Sequence, residues 1–216
     1  MTDFKKLAHD LANTASETRG KAIQQTKKLL QDTEFSYFDY LKISKALFYS
    51  EFYLGVWMAD GVEYQEALSE DIASWVDNVK NKWAWLQSFL ETMRVNWDGI
   101  DKFRIDKYMY LARLLLREAF KHALEDPTQW SQILTQCLER SQAKGLAMSF
   151  HLADIYLEEM PDCQNEQKIQ LCQPFLDLFT ATRLNHVVNR VFEKVLCKLS
   201  PTESFEKYLF EKASSK

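Results

Sequence analysis

Apolar residues recur along this chain at spacings of three and four, the period of a helix buried on one side. In residues 1 to 13 they are Phe4, Leu7, Ala8 and Leu11. A second helix is expected from about Ser16 to Leu30, with Arg19, Lys21, Lys27 and Lys28 making its edge mildly basic. Ser36 and Asp39 stand at capping-box spacing before an aromatic stretch. There Phe48, Tyr49, Phe52, Tyr53 and Trp57 recur all round the helix, which makes it central to the packing or, in part, an exposed partner surface. It is expected to end near Asp60-Gly61, with Gly61 as a left-handed C-cap. Tyr64, Leu68, Ile72, Trp75 and Val79 mark the next helix. Asn81 caps another, with Trp85, Leu86, Phe89, Leu90 and Met93 on its apolar side.

The longest pattern opens at Asp98, whose short carboxylate suits an N-cap, with Asp101 in the first turn, where negative charge suits the helix dipole. It runs to about Leu124 without a proline. Ile105, Tyr108, Met109, Ala112, Leu115, Leu116, Ala119 and Ala123 fall on one side. Lys102, Lys107, Arg113, Arg117 and Lys121 fall on the other, interrupted by Asp106 and Glu118. Asp126 then caps a helix with Pro127 at its first position, carrying Trp130, Ile133, Leu134, Cys137 and Leu138. A helix from about Gly145 stops at Pro161 after Met160. Asn165 caps the next, which Pro174 should kink or restart. Val187, Val188, Val191, Phe192, Val195 and Leu196 follow, and Ser200-Pro201 opens a terminal helix with Phe205 and Leu209. No strand pattern of convincing length occurs. The expected fold is all-α: antiparallel helix pairs of roughly 40 residues each, in a HEAT-like α-solenoid array forming one domain over 1–216. An irregular bundle is the alternative.

Composition supports this. Only 5 Gly and 4 Pro occur in 216 residues, so long helices with short connections are expected. No apolar run is long enough for a transmembrane helix; the most aromatic segment is broken by Asp39, Lys42, Lys45 and Glu51. Lys5 and Lys6 are not followed by the apolar core of a signal peptide. Cys137, Cys163, Cys172 and Cys197 show no Cys-x-x-Cys spacing, which points to reduced thiols in an intracellular protein. The net charge of −4 is not that of a dedicated nucleic-acid binder, so any RNA contact needs a local basic patch.

Candidate chemistry is sparse. His9, His122, His151 and His186 are scattered. His151 and Asp154, with Glu158 and Glu159 a turn on, have a spacing that could approach a metal but lack a second histidine. There is no P-loop, nucleophile elbow or dinucleotide fingerprint. The expectation is a non-enzyme with no catalytic residue, cofactor, metal or small-molecule substrate. The candidate contact surface for a partner or RNA is Lys102, Arg104, Lys107, Arg113 and Arg117, with Asp101 and Asp106 orienting the basic groups. The rival reading pairs Asp98, Asp101 and Asp106 with Lys102, Arg104 and Arg113, leaving a neutral surface.

One stretch carries a resemblance. Trp97, then Gly99-Ile100-Asp101, then Arg104-Ile105-Asp106-Lys107 and Tyr108 resemble the signature of the ribosomal RNA processing protein 1 family. Asp98 belongs to the same stretch, and Trp97, Ile105, Tyr108 and Leu115 are expected to be structural. Phe52-Tyr53, Trp57 and Asp60, and the segment from Pro174-Phe175 through Thr182 and Asn185 to Arg190-Val191-Phe192, are similar to further family elements. The resemblance covers roughly 16–199. It implies a nucleolar, nuclear α-helical scaffold in the pre-ribosomal large-subunit particle, needed for pre-rRNA processing. Other large-subunit assembly factors are its implied partners, and pre-rRNA is a further candidate through the local basic patch. No membrane partner is expected. Family members often continue into a long, charged C-terminal tail, and this sequence stops at Lys216 without one. The alternative is a helical-repeat adaptor that binds proteins without an RNA role.

Overall fold

The computed structural model of the chain describes residues 4–11, 13–48, 56, 59 and 61–199. Every regular element among them is helical. The α-helices are α1 (Phe4–Leu11), α2 (Ser16–Asp32), α3 (Tyr37–Phe48), α4 (Val62–Ser74), α5 (Lys82–Asn96), α6 (Ile105–Ala123), α7 (Pro127–Ser141), α8 (Leu146–Glu159), α9 (Asn165–Ala181) and α10 (Asn185–Lys194). Short 3-10 turns follow α4, α5 and α10. The fold is an all-α helical array, compatible with stacked helix pairs. No helix among the described residues is long and apolar enough to cross a membrane. The chain divides into two compact units, Met1–Ala119 and Phe120–Lys216, and the division falls within α6.

Short polar side chains set several helix starts where the sequence placed them. The Asp39 amide donates to Ser36 Oγ at 3.2 Å, the Ala84 amide to Asn81 Oδ1 at 3.1 Å and the Gln129 amide to Asp126 Oδ1 at 3.1 Å. Other boundaries differ from expectation. The aromatic helix α3 is described as far as Phe48, and the Val56 amide donates back to the Leu47 carbonyl at 3.0 Å, so the helix does not run on to Asp60. Tyr49, Phe52, Tyr53, Trp57 and Asp60 lie outside the described residues. Gly61 does adopt a left-handed φ of 86°, but as the residue that opens α4, not as the cap that closes α3. The capping box of α9 is made by Gln164 and Gln167, one residue earlier than Asn165. The helix runs through Pro174 as one element, so no restart occurs there. The expected helix after Ser200-Pro201, with Phe205 and Leu209, lies outside the described residues.

In the first unit α1 packs on α2 and α3, and α3 packs closely on α5. The α3–α5 contact contains small hydroxyls: Ser44 Oγ lies 2.7 Å from Thr92 Oγ1 and donates to the Ser88 carbonyl at 3.2 Å. Beside them runs a chain of buried rings. Trp75 stacks on Trp85 at 6.3 Å, and Trp85 meets Tyr40 at 6.0 Å and Phe89 at 5.3 Å. Phe89 meets Phe48 at 6.4 Å, and Phe48 meets Tyr108 at 4.5 Å. Edge-to-face pairs of this kind add to the apolar burial. Arg19 and Lys27 are not free basic groups. Arg19 is buried and donates to the carbonyls of Asn13 and Thr14, both at 2.9 Å, and Lys27 pairs with Asp71 of α4 at 2.5 Å.

In the second unit α7 packs on α9 and α8 on α10. Its centre is aromatic too: Tyr156 lies 4.9 Å from Phe120 and 4.8 Å from Phe175, with Trp130 6.3 Å from Phe120. The four cysteines are free thiols, Cys137 and Cys172 buried and Cys197 exposed. Burial pushes the Cys172 thiol up to about 12, far from its reactive thiolate form. At mildly alkaline pH an alkylating reagent should therefore label Cys197 first and Cys172 only on unfolding. Mass spectrometry of a labelling time course checks this, and equal rates at the two positions would contradict the packing.

Candidate partner-contact site

The site is built where α5 hands over to α6. The Trp97 ring is 5% exposed, and Trp97–Gly99 continue α5 as a 3-10 turn. Ile100 then turns extended, with φ −79° and ψ 126°. Asp98 therefore sits in the closing turn of the preceding element and does not cap α6, as its sequence position had suggested. Asp101 instead closes the turn that leads into α6. Its Oδ1 accepts the Phe103 amide at 2.9 Å, and its backbone carbonyl accepts the amides of Arg104 and Ile105, each at 3.1 Å. Its other carboxylate oxygen accepts the Arg104 guanidinium. Burial opposes ionisation of Asp101, but the Arg104 guanidinium and the Phe103 amide overcome it, so the carboxyl titrates below the ordinary aspartate range.

The candidate basic residues do not share one fate. Lys102 is exposed, with Nζ 5.1 Å from the centroid of the Phe103 ring. Arg104 is half-buried and held by Asp101, as the pairing alternative expected. Lys107 leaves the surface altogether. It is 6% exposed, and its Nζ donates to the Ala59 carbonyl at 3.0 Å. The neighbouring Tyr108 is fully buried and donates its hydroxyl to the Phe48 carbonyl at 2.8 Å. Adjacent residues of α6 thus hold the carbonyl that ends α3 and one just before α4. Buried carbonyls need such donors, so this lysine works inside the fold.

Arg113 is half-buried and Arg117 exposed. Between them and Lys102 lies Tyr110, whose hydroxyl donates to Glu70 of α4 at 3.1 Å. Burial raises the Tyr110 pKa, Glu70 and Glu66 raise it further, and Arg117 opposes them. The basic row thus runs beside carboxylates of α4. With Asp106 exposed on the same helix, the face carries mixed charge. Of the residues expected to be structural, Trp97, Tyr108 and Leu115 are buried and Ile105 is half-buried.

The apolar periodicity does not single out Phe103. It is 83% exposed at the tip of the Asp101 turn, where a non-periodic aromatic next to a cap was the available signal. Among the described residues no group of three His, Cys, Asp or Glu is arranged to hold a metal ion. His151 is buried, and Asp154 accepts from Arg190 of α10 at 2.6 Å with Lys194 at 4.0 Å. What the α5–α6 junction presents is a turn held by Asp101, an outward ring and charges of both signs.

A family model described as "Nucleolar protein, Nop52" matches residues 2–216. The chain belongs to the Nop52 family. It is 29% identical to mouse ribosomal RNA processing protein 1 homolog B, over 93% of this chain and 31% of the relative. It is 28% identical to human homolog B, over 88% of this chain and 28% of the relative. Human homolog A is also 28% identical, over 88% of this chain and 46% of the relative. The chain therefore spans less than half the length of these curated relatives. Within this Nop52 chain the motif from Trp97 to Tyr108 divides in two: Trp97, Lys107 and Tyr108 face inward, while Asp98, Gly99 and Asp106 face solvent.

Proposed function

We propose that this chain is a non-catalytic helical scaffold of ribosome assembly. It acts in the nucleolus within the pre-ribosomal large-subunit particle, and it supports pre-rRNA processing by docking other assembly factors. The observation that carries this reading is the Nop52 family match over residues 2–216. The mouse and human relatives, named for ribosomal RNA processing, support the process. The geometry supports the mode of action. The α5–α6 junction exposes a ring and mixed charges on a rigid turn, the makings of a contact surface. A protein-only adaptor is the second reading, favoured by the acidic net charge of −4.

The test is to deplete the chain from cells and follow precursor RNAs, while sedimenting a tagged copy against purified particles. The reading expects co-sedimentation with large-subunit precursors and accumulation of their unprocessed RNA, with small-subunit maturation intact. Precursor RNA cleaved by the purified chain alone would overturn the non-catalytic assignment. Normal RNA processing after depletion would favour the adaptor.

Charge reversal at Arg113 and Arg117 tests whether the rest of the basic row belongs to the contact. Arg117 is exposed, so its substitution should change stability by only about 0.5 kcal/mol, and half-buried Arg113 is reversed singly as well to separate any packing loss from the contact. Association with the particle should weaken about tenfold, equivalent to about 1.4 kcal/mol, while the thermal midpoint moves little. Unchanged association would confine the contact to the Lys102–Arg104 turn or another face.

A further inference from the structure

We infer that Phe103 is an anchor by which the chain docks onto a folded protein of the same particle, its ring entering an apolar pocket of that partner. The inference rests on the scaffold reading and names the partner class and the anchoring residue. Phe103 is the most exposed large apolar side chain among the described residues, at 83%, ahead of Phe38 at 71% and Val62 at 68%. Full burial of a phenylalanine is worth about 1.5–3 kcal/mol, and the chain itself realises almost none of it here.

The backbone that carries the ring is also held in place. The Phe103 amide is bonded to Asp101 Oδ1 at 2.9 Å, Arg104 is tied to the same carboxylate, and Lys102 Nζ lies 5.1 Å from the ring centroid. A fixed backbone reduces the ordering lost on association, which is how a single aromatic side chain comes to dominate an interface. Gly99, in the same junction, adds a bare approach. A Cβ there would meet nothing within 4 Å, and its φ is not positive, so neither packing nor backbone requires glycine.

Charge decides between protein and RNA. Across positions 98–106 there are three carboxylates, Asp98, Asp101 and Asp106, against two cations, Lys102 and Arg104. Arg104 is already engaged by Asp101. A phosphate backbone approaching Phe103 would meet more carboxylates than cations, and nucleic-acid affinity depends on the reverse. A protein pocket with a polar rim of both signs matches the surroundings.

The experiment uses large-subunit precursor particles isolated from cells depleted of the chain. The purified chain is titrated onto them as wild type, Phe103→Ala and Phe103→Leu. A photoreactive phenylalanine analogue is placed at position 103 and, as a control, at position 38. The expected result is binding at least tenfold weaker for Phe103→Ala, largely kept by Phe103→Leu, with thermal midpoints unchanged because the ring packs on so little of the chain. The cross-link from position 103 should survive ribonuclease and be lost to protease, and position 38 should give none. Unchanged binding of Phe103→Ala overturns the inference and leaves the scaffold reading standing. A ribonuclease-sensitive cross-link overturns it in favour of RNA. Failure of the wild-type chain to bind the particles defeats the scaffold reading and the inference together.

Discussion

Replacing Tyr108 by alanine should destabilise the first unit by about 3–5 kcal/mol, the range for deleting a buried aromatic side chain. Tyr108 is fully buried, its ring lies 4.5 Å from Phe48, and its hydroxyl donates to the Phe48 carbonyl at 2.8 Å. The substitution removes the last ring of the chain that starts at Trp75, and it leaves a buried carbonyl at the end of α3 without this donor. Tyr108→Phe separates the two effects. It keeps the ring and orphans only the hydrogen bond, at about 1–3 kcal/mol. A domain of this size is marginal enough that the alanine variant should unfold at far lower denaturant. Urea melts of the full chain followed by tryptophan fluorescence measure both. If both variants melt within about 0.5 kcal/mol of wild type, Tyr108 is not the clasp described, since that is the spread of inconsequential surface changes.

The same residue shows what the sequence made legible and what it hid. Tyr108 could be placed inside because it falls in the apolar period of α6, and the caps at Ser36, Asn81 and Asp126 could be placed because a short polar side chain and a nearby amide are local partners. Lys107 could not. Reading α6 with a single apolar side put it among the basic residues. The actual buried arc is wider, since Leu111 is fully buried and Leu114 is 7% exposed. At about 100° per residue Lys107 falls between those two positions, inside the arc. Its acceptor, the Ala59 carbonyl, is distant in the sequence, and no periodicity reveals a tertiary hydrogen bond.

The placement of the helix start at Asp98 misled for a different reason. Two aspartates three residues apart are equally good caps by composition. What decides is the burial of Trp97, which carries the preceding helix one turn further and moves the start of α6 along the chain. The charge of the candidate face was half legible for a related reason. The positive charges were visible in the sequence, but the carboxylates that offset them, Glu66 and Glu70, come from α4. The sign of a surface depends on what packs beside it, so one helix read alone looked more basic than the face it joins.

In the second unit the largest loss is expected at Tyr156. Its ring is fully buried between Phe120 at 4.9 Å and Phe175 at 4.8 Å. Its hydroxyl accepts the Trp130 indole N–H at 2.9 Å and donates to the Leu171 carbonyl at 2.6 Å, close to where Pro174 supplies no amide to α9. Tyr156→Ala should remove about 3–5 kcal/mol. Tyr156→Phe keeps the ring but strands the indole N–H, and should remove about 1–3 kcal/mol. The two variants also differ from wild type in alkali. Burial raises the Tyr156 pKa well above the ordinary value, with the neighbouring Cys172 adding to the shift. The folded state therefore holds this proton more tightly than the unfolded chain. Stability from it is complete below the ordinary tyrosine pKa of about 10 and declines as pH rises beyond that. Cys172, pushed up to about 12 by burial, begins a similar decline from its lower ordinary value. In Tyr156→Phe the loss that starts near the tyrosine range should disappear while the cysteine-linked decline remains. Urea midpoints measured across the alkaline range resolve the two limbs. An alkaline limb of the same steepness in wild type and Tyr156→Phe would show that the phenol is not buried with its proton held between Trp130 and α9.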